Sequence, residues 1–162
     1  MTVKEKNITY RASIGALIVD SKKRFLLTEL IDAKPNECDF VKGGRRLGET
    51  ELQTLDREIS EELGKSFEYQ VITKSNWNVI YEWPKDLQDK KGYYGQARTS
   101  YWVKYSSGDI ALEPTELKKY YWVSEAQVYD YLTAGLFPEF YIKSLLLEWE
   151  MIKKEYPHLF KY

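Results

Sequence analysis

Glu58, Glu61 and Glu62 are spaced so that, on a helix, all three carboxylates fall within one turn of each other. Like charges at such spacings cost a bare helix on the order of 0.2–0.5 kcal/mol per pair, and a cation among them removes that cost. Carboxylate oxygens are hard ligands suited to Mg²⁺ or Mn²⁺, and Mg²⁺ is commonly held by a few carboxylates, with water and substrate phosphate completing its shell. Taken alone, a Glu-rich turn is a solvated face. The residues before it alter that reading, because Lys42-Gly43-Gly44-Arg45-Arg46-Leu47-Gly48 is a glycine-punctuated loop with three cations that leads into the same helix. Backbone N–H groups and cationic side chains beside a carboxylate-bound divalent cation are what an oligophosphate needs.

The elements that hold this loop and helix follow from periodicity. Ala12 to Val19 is an apolar run ending at the turn Asp20-Ser21-Lys22-Lys23, after which Arg24 to Thr28 resumes as a second strand, so a hairpin is expected. Ala33 to Asp39 reads as loop and Phe40-Val41 as a short strand. Thr50 and Gln53 form a capping box for a helix over 51–63, whose Leu52, Leu55, Ile59 and Leu63 share one face opposite the three glutamates, and Gly64 ends it. Residues 68–73, 77–83, 101–105 and 120–123 read as β-branched and aromatic strands. Pro84 to Gln96 reads as a polar binding loop or flap. Ser124 caps a helix to about residue 132, and Pro138 opens one to about residue 155 with Phe140, Ile142, Leu145, Leu146, Trp149 and Ile152 on its apolar face. Helices at both ends of a mixed sheet imply a layered α/β sandwich.

Composition narrows the chemistry further. The 162 residues suit one domain spanning 1–162 with one core. With 24 Lys+Arg against 25 Asp+Glu the net charge is −1, so phosphate binding must be local rather than global. A single cysteine, Cys38, excludes an intramolecular disulfide and multi-cysteine metal sites, and a single histidine, His158, argues against a His-based triad or zinc centre. Carboxylates therefore carry any catalysis. The polar first ten residues and the absence of an 18-residue apolar window point to a cytoplasmic setting without a membrane partner. Oligomeric state is not legible.

Residues 43 to 65, GGRRLGETELQTLDREISEELGK, resemble the signature of the Nudix hydrolases. Gly43, Glu49, Arg57-Glu58, Glu61-Glu62 and Gly64 stand at its spacing, a coincidence on the order of 10⁻⁸ per start position at ordinary residue usage. Lys42, Leu47 and Lys65 depart from it without removing a metal-binding carboxylate. The resemblance extends to the branch of bacterial RNA pyrophosphohydrolases and dinucleoside tetraphosphate hydrolases through Tyr10-Arg11, Asn76-Trp77, Tyr81, Pro84, Gly95-Gln96, and Pro114-Thr115-Glu116-Leu117 ahead of Trp122-Val123-Ser124. It loosens at Ala97 to Trp102.

That resemblance implies an α/β/α sandwich with a central mixed sheet and a loop-helix-loop catalytic motif. It also implies metal-assisted attack of water on a phosphorus atom of a nucleoside-diphosphate-linked substrate, either a 5′-triphosphorylated RNA end or a dinucleoside polyphosphate. Glu58, Glu61, Glu62 and Glu116 would hold Mg²⁺, with Mn²⁺ as an alternative. Arg57 would orient Glu58 or Glu61, one of which would be the general base, and Glu49 and Gly64 would support the motif. Arg11, Lys42, Gly43, Gly44, Arg45, Arg46 and Gln96 are candidates for substrate binding, and Tyr93, Tyr94 or Trp83 for stacking on a base. A sanitising nucleoside triphosphate pyrophosphatase and a silent nucleotide-binding module are the alternatives.

Overall fold

The computed structural model describes residues 9–31, 37–134 and 137–159. The sheet is laid around β1 (Tyr10–Val19), with β6 (Gly95–Ser107) parallel to it along one whole edge, from Tyr10 beside Gly95 to Val19 beside Lys104. The other edge is shared: β4 (Val41–Gly44) runs antiparallel to Ser13–Ala16, while β2 (Phe25–Leu30) meets β1 at Val19. The Asp20 carboxylate accepts the backbone N–H groups of Lys22 and Arg24 at 2.9 and 2.8 Å, which closes the expected turn. Beyond it the two strands part, and β2 takes β3 (Cys38–Asp39) and β7 (Leu117–Val123) as antiparallel neighbours. β5 (Glu68–Glu82) covers the far edge of β6.

Alternation along β1 sends successive side chains to opposite faces of the sheet. Ile14, Ala16 and Ile18 meet Leu55, Ile59 and Leu63 of α1 (Glu51–Leu63). Leu17 and Val19 face the other way, onto Val128 and Leu132 of α3 (Glu125–Thr133) and Leu145, Trp149 and Ile152 of α4 (Glu139–Glu155). The result is the expected helix–sheet–helix sandwich with a mixed sheet. No helix among the described residues is long and apolar enough to cross a membrane.

Several expectations change. The strands expected at 68–73 and 77–83 are one strand, β5, because register shifts near Val71 and Lys74 absorb the polar stretch and Ser75 Oγ donates to the Ser100 carbonyl at 2.9 Å. The polar segment after Pro84 is not all loop: it holds α2 (Lys85–Lys91), with Asp86 in its first turn, Lys90 and Lys91 in its last, and Gly92 at φ 75° as its stop. Cys38–Asp39 is a strand rather than loop, Phe40 lies between strands, and Gly43 and Gly44 finish β4 rather than belonging to the loop. The rest of the loop expected from Ala33 lies outside the described residues up to Asn36. Leu52 is 53% exposed and leaves the buried face of α1.

These placements separate two apolar substitutions. Trp149→Ala, which empties the centre of the α4 layer, is expected to destabilise by about 3–5 kcal/mol, and Leu52→Ala by no more than about 0.5 kcal/mol; urea unfolding midpoints of the two variants check both values.

Candidate active site

The capping box forms as the sequence implies: Gln53 N–H donates to Thr50 Oγ1 at 3.1 Å and Thr50 N–H to Gln53 Oε1 at 2.9 Å. Gly64, at φ 90°, ends the helix by donating its N–H to the Ser60 carbonyl at 3.1 Å. Between these ends α1 presents Arg57, whose guanidinium ties loop and helix together. Its Nε and Nη2 donate to both oxygens of Glu49, at 2.6 and 3.0 Å. Nη2 also reaches the Gly44 carbonyl at 2.9 Å, and Nη1 reaches Glu58 at 2.6 Å and Glu61 at 3.3 Å. Glu49 in turn accepts the Arg46 N–H at 3.0 Å and the Thr54 hydroxyl at 2.9 Å. The Arg57 bonds, with those of Arg46 and Thr54, push the Glu49 carboxyl down to about 2.

Glu62 departs from its expected place on the open side of the helix. It is 8% exposed, on the flank of the stripe that carries Leu55 and Ile59. Its Oε2 has no hydrogen-bond partner among the described residues. Burial, then the charges of Glu58, Asp39 and Glu116, push its carboxyl up to about 9, with Lys42 opposing. Glu58 is raised as well, by burial first and by Glu61 and Glu116, against the pull of Arg57. That Glu116 acts on both puts it near them, at the turn entering β7, where its carbonyl accepts the Ile31 N–H at 2.8 Å. Two glycines make room for this cluster: a Cβ on Gly43 would overlap the Glu58 carboxyl, and one on Gly44 the Arg11 guanidinium.

Among the described residues no three His, Cys, Asp or Glu side chains converge in a metal-holding arrangement, and Glu58 and Glu61 are turned onto Arg57. The donor set still fits a hard divalent cation. It comprises an orphaned buried carboxylate oxygen on Glu62, a half-buried Glu58 disfavoured as an anion by burial, the nearby Glu116, and Glu61, whose side chain is 41% exposed. A cation there offsets the burial and like-charge repulsion that raise Glu58 and Glu62.

The other expected residues divide. Arg11, Arg45, Arg46 and Glu49 line an open cleft of ≈ 490 Å³, with Tyr10 and Tyr93 at its wall. Arg45 Nε donates to the Glu49 carbonyl at 2.6 Å, and Arg46 stands 3.6 Å from Glu61. Tyr94 packs edge-on against Tyr10, and Trp83 is buried beside Tyr93, so of the three stacking candidates Tyr93 is the one that lines the cleft. Gln96 is buried, with its amide donating to Ser13 Oγ at 2.6 Å. Lys42 turns inward, its ammonium 2.8 Å from Asp39 and 3.4 Å from Glu148. Glu148 was not singled out from the sequence, although it stands three residues after Leu145 and four before Ile152, on an otherwise apolar stripe.

The direction of the Glu62 shift gives a pH dependence. A carboxyl protonated more readily in the folded state than in the unfolded one adds stability that is complete below pH 4.5 and fades as pH rises through about 9. Metal-stripped protein in a chelator is therefore expected to lose melting temperature steadily across that window, and Glu62→Gln to flatten the loss. Thermal melts of both proteins from pH 5 to 9 check this.

Residues 9–141 match the NUDIX domain family. The chain is 36% identical over 76 residues to an RNA pyrophosphohydrolase of Ruthia magnifica, a match covering 46% of this chain and 41% of that protein. It is 29% identical over 106 residues to an RNA pyrophosphohydrolase of Orientia tsutsugamushi, covering 64% of this chain and 65% of the relative. The chain thus spans less than two thirds of the length of either relative. The crystal structure of the MutT protein from Methanosarcina mazei Go1 superposes with a TM-score of 0.62 at 20% identity, over 93% of this chain and 98% of that one. With the match running from β1 into α4 and enclosing the Arg57 cluster, the chain belongs to the Nudix family.

Proposed function

We propose that this chain is one Nudix domain acting as a metal-dependent pyrophosphohydrolase, which cleaves a phosphoanhydride in a 5′-triphosphorylated RNA end or a dinucleoside polyphosphate. The observation that carries this reading is the Arg57 hub. One guanidinium holds Glu49, Glu58, Glu61 and the Gly44 carbonyl at once, and leaves the Glu62 oxygen unpartnered beside them. Glu58, Glu61, Glu62 and Glu116 would hold Mg²⁺ or Mn²⁺, which when bound supplies a lowered pKa for water and neutralises charge on the phosphoryl oxygens.

The chain's own residues do the rest. Arg11, Arg45 and Arg46 face the phosphate chain from the cleft and concentrate positive charge on a protein that carries −1 overall. Tyr93 offers a ring for a base at the same cleft. Glu58 or Glu61 accepts the proton of the attacking water. Glu61 is held by the longer Arg57 contact and is free to turn, whereas Glu58 sits on Gly43 under a 2.6 Å bond. The RNA reading is supported by the relatives from Ruthia and Orientia, which are RNA pyrophosphohydrolases. A cytoplasmic setting fits such a substrate.

The test is release of phosphate or pyrophosphate from a short 5′-triphosphorylated RNA and from diadenosine tetraphosphate, with Mg²⁺, Mn²⁺ or a chelator. Metal-dependent turnover of at least one is expected, and Glu61→Gln is expected to lower kcat by about 10²-fold or more. Turnover of free nucleoside triphosphates alone would move the assignment to a sanitising enzyme, and no turnover to a nucleotide-binding module.

A further inference from the structure

Seven residues beyond the end of the Nudix match, α4 places a carboxylate inside the protein. Glu148 is 2% exposed. Its Oε2 accepts from Arg98 Nη2 at 2.7 Å and lies 3.4 Å from Lys42 Nζ, and its Oε1 accepts the Ser100 hydroxyl at 2.7 Å. Arg98 is wholly buried, with its guanidinium over the Tyr81 ring at 5.8 Å. The Lys42 ammonium is mostly buried, between two carboxylates and two rings. Asp39 is 2.8 Å away and Glu148 3.4 Å, and the Phe40 and Tyr141 rings stand at 5.8 and 5.9 Å. Tyr141 holds Asp39 in turn through its hydroxyl. Tyr141 and Glu148 are two helical turns apart, so one face of α4 fixes both anions around Lys42.

The pair has a seat cut for it in the sheet. Lys42 lies opposite Gly15 in the β4–β1 ladder, and a Cβ on Gly15 would stand 3.0 Å from Glu148 Oε1 and 3.2 Å from Arg98 Cδ. Lys42 is also the residue before Gly43, on which the Glu58 carboxyl rests. Apolar residues of the same volume commonly stabilise a fold as well as a buried ion pair does, so stability alone does not call for four charges here. The same face of α4 is otherwise apolar, at Leu145, Trp149 and Ile152.

We propose that Glu148 is a positioning residue for hydrolysis, which with Arg98 fixes Lys42 and, through Lys42, the Gly43 seat of Glu58. This rests on the hydrolase reading above. It assigns Lys42 to holding β4 in place rather than to contacting phosphate, and it extends the catalytic unit to a helix outside the signature.

The test replaces the pair without leaving a lone charge, in the double variant Arg98→Met with Glu148→Leu, where Lys42 keeps Asp39 as its counter-ion. The melting temperature is expected to stay near that of the wild type while kcat falls roughly 10- to 100-fold and KM holds within about threefold, as for a displaced catalytic group. A stable double variant with wild-type kcat overturns the inference. Should the double variant not fold, Lys42→Gln decides: a fall in kcat at unchanged KM supports positioning, and a raised KM at unchanged kcat marks a phosphate ligand and overturns it. A wild-type chain that cleaves no phosphoanhydride overturns the hydrolase reading and this inference with it, whereas full kcat in the variants of an active chain overturns this inference alone.

Discussion

The guanidinium of Arg57 is the constraint on which the site depends. Its five N–H donors are planar and fixed, and the structure spends them on Glu49 from the loop, the Gly44 carbonyl from β4, and Glu58 and Glu61 from α1. A lysine could satisfy one of these acceptors at a time and could not hold the loop, the strand and the helix in one geometry. Three segments thus acquire a common frame, and the carboxylates that crowd α1 are kept apart by a cation that belongs to the fold.

Around that frame, burial divides the glutamates into different chemical kinds. Glu49, doubly bonded to Arg57, is held ionised far below ordinary carboxylate values. Glu62, on α1, is driven in the opposite direction by burial and by its neighbours, and keeps an oxygen unpartnered. Glu58 lies between, desolvated yet gripped by Arg57. Groups of one residue type around one site differ because desolvation and pairing act on each in different proportion. The glycines are the steric condition for this: Gly43 and Gly44 let carboxyl and guanidinium groups rest directly on backbone.

Behind the strand that carries those glycines lies a second polar layer, made of Asp39, Lys42, Arg98, Tyr141 and Glu148. It is balanced in charge and largely sealed, and its hydrogen bonds cross from α4 through β6 to β4. The two helical layers of the sandwich consequently meet at the site by different means, α1 through exposed and half-buried carboxylates and α4 through a buried ion network.

Much of this architecture was legible in the chain. The capping box at Thr50, the stop at Gly64 and the spacing of Glu49, Arg57, Glu58, Glu61 and Glu62 are local signals, since a helix fixes neighbours three and four residues apart without outside help. The alternation of β1 and the apolar stripe of α4 likewise foretold a sheet covered on both faces. What no local pattern carried is what depends on long-range pairing: the parting of β1 from β2, the fusion of two expected strands into β5, and the inward turn of Lys42 onto Glu148, more than a hundred residues away. α2 escaped because its start and stop signals enclose only seven residues, six of them polar, too short for an apolar period. The burial of Glu62 and of Glu148 was hidden for one shared reason. Whether a carboxylate on a helix flank meets solvent or core is decided by the element packed against it, and that element comes from elsewhere in the sequence.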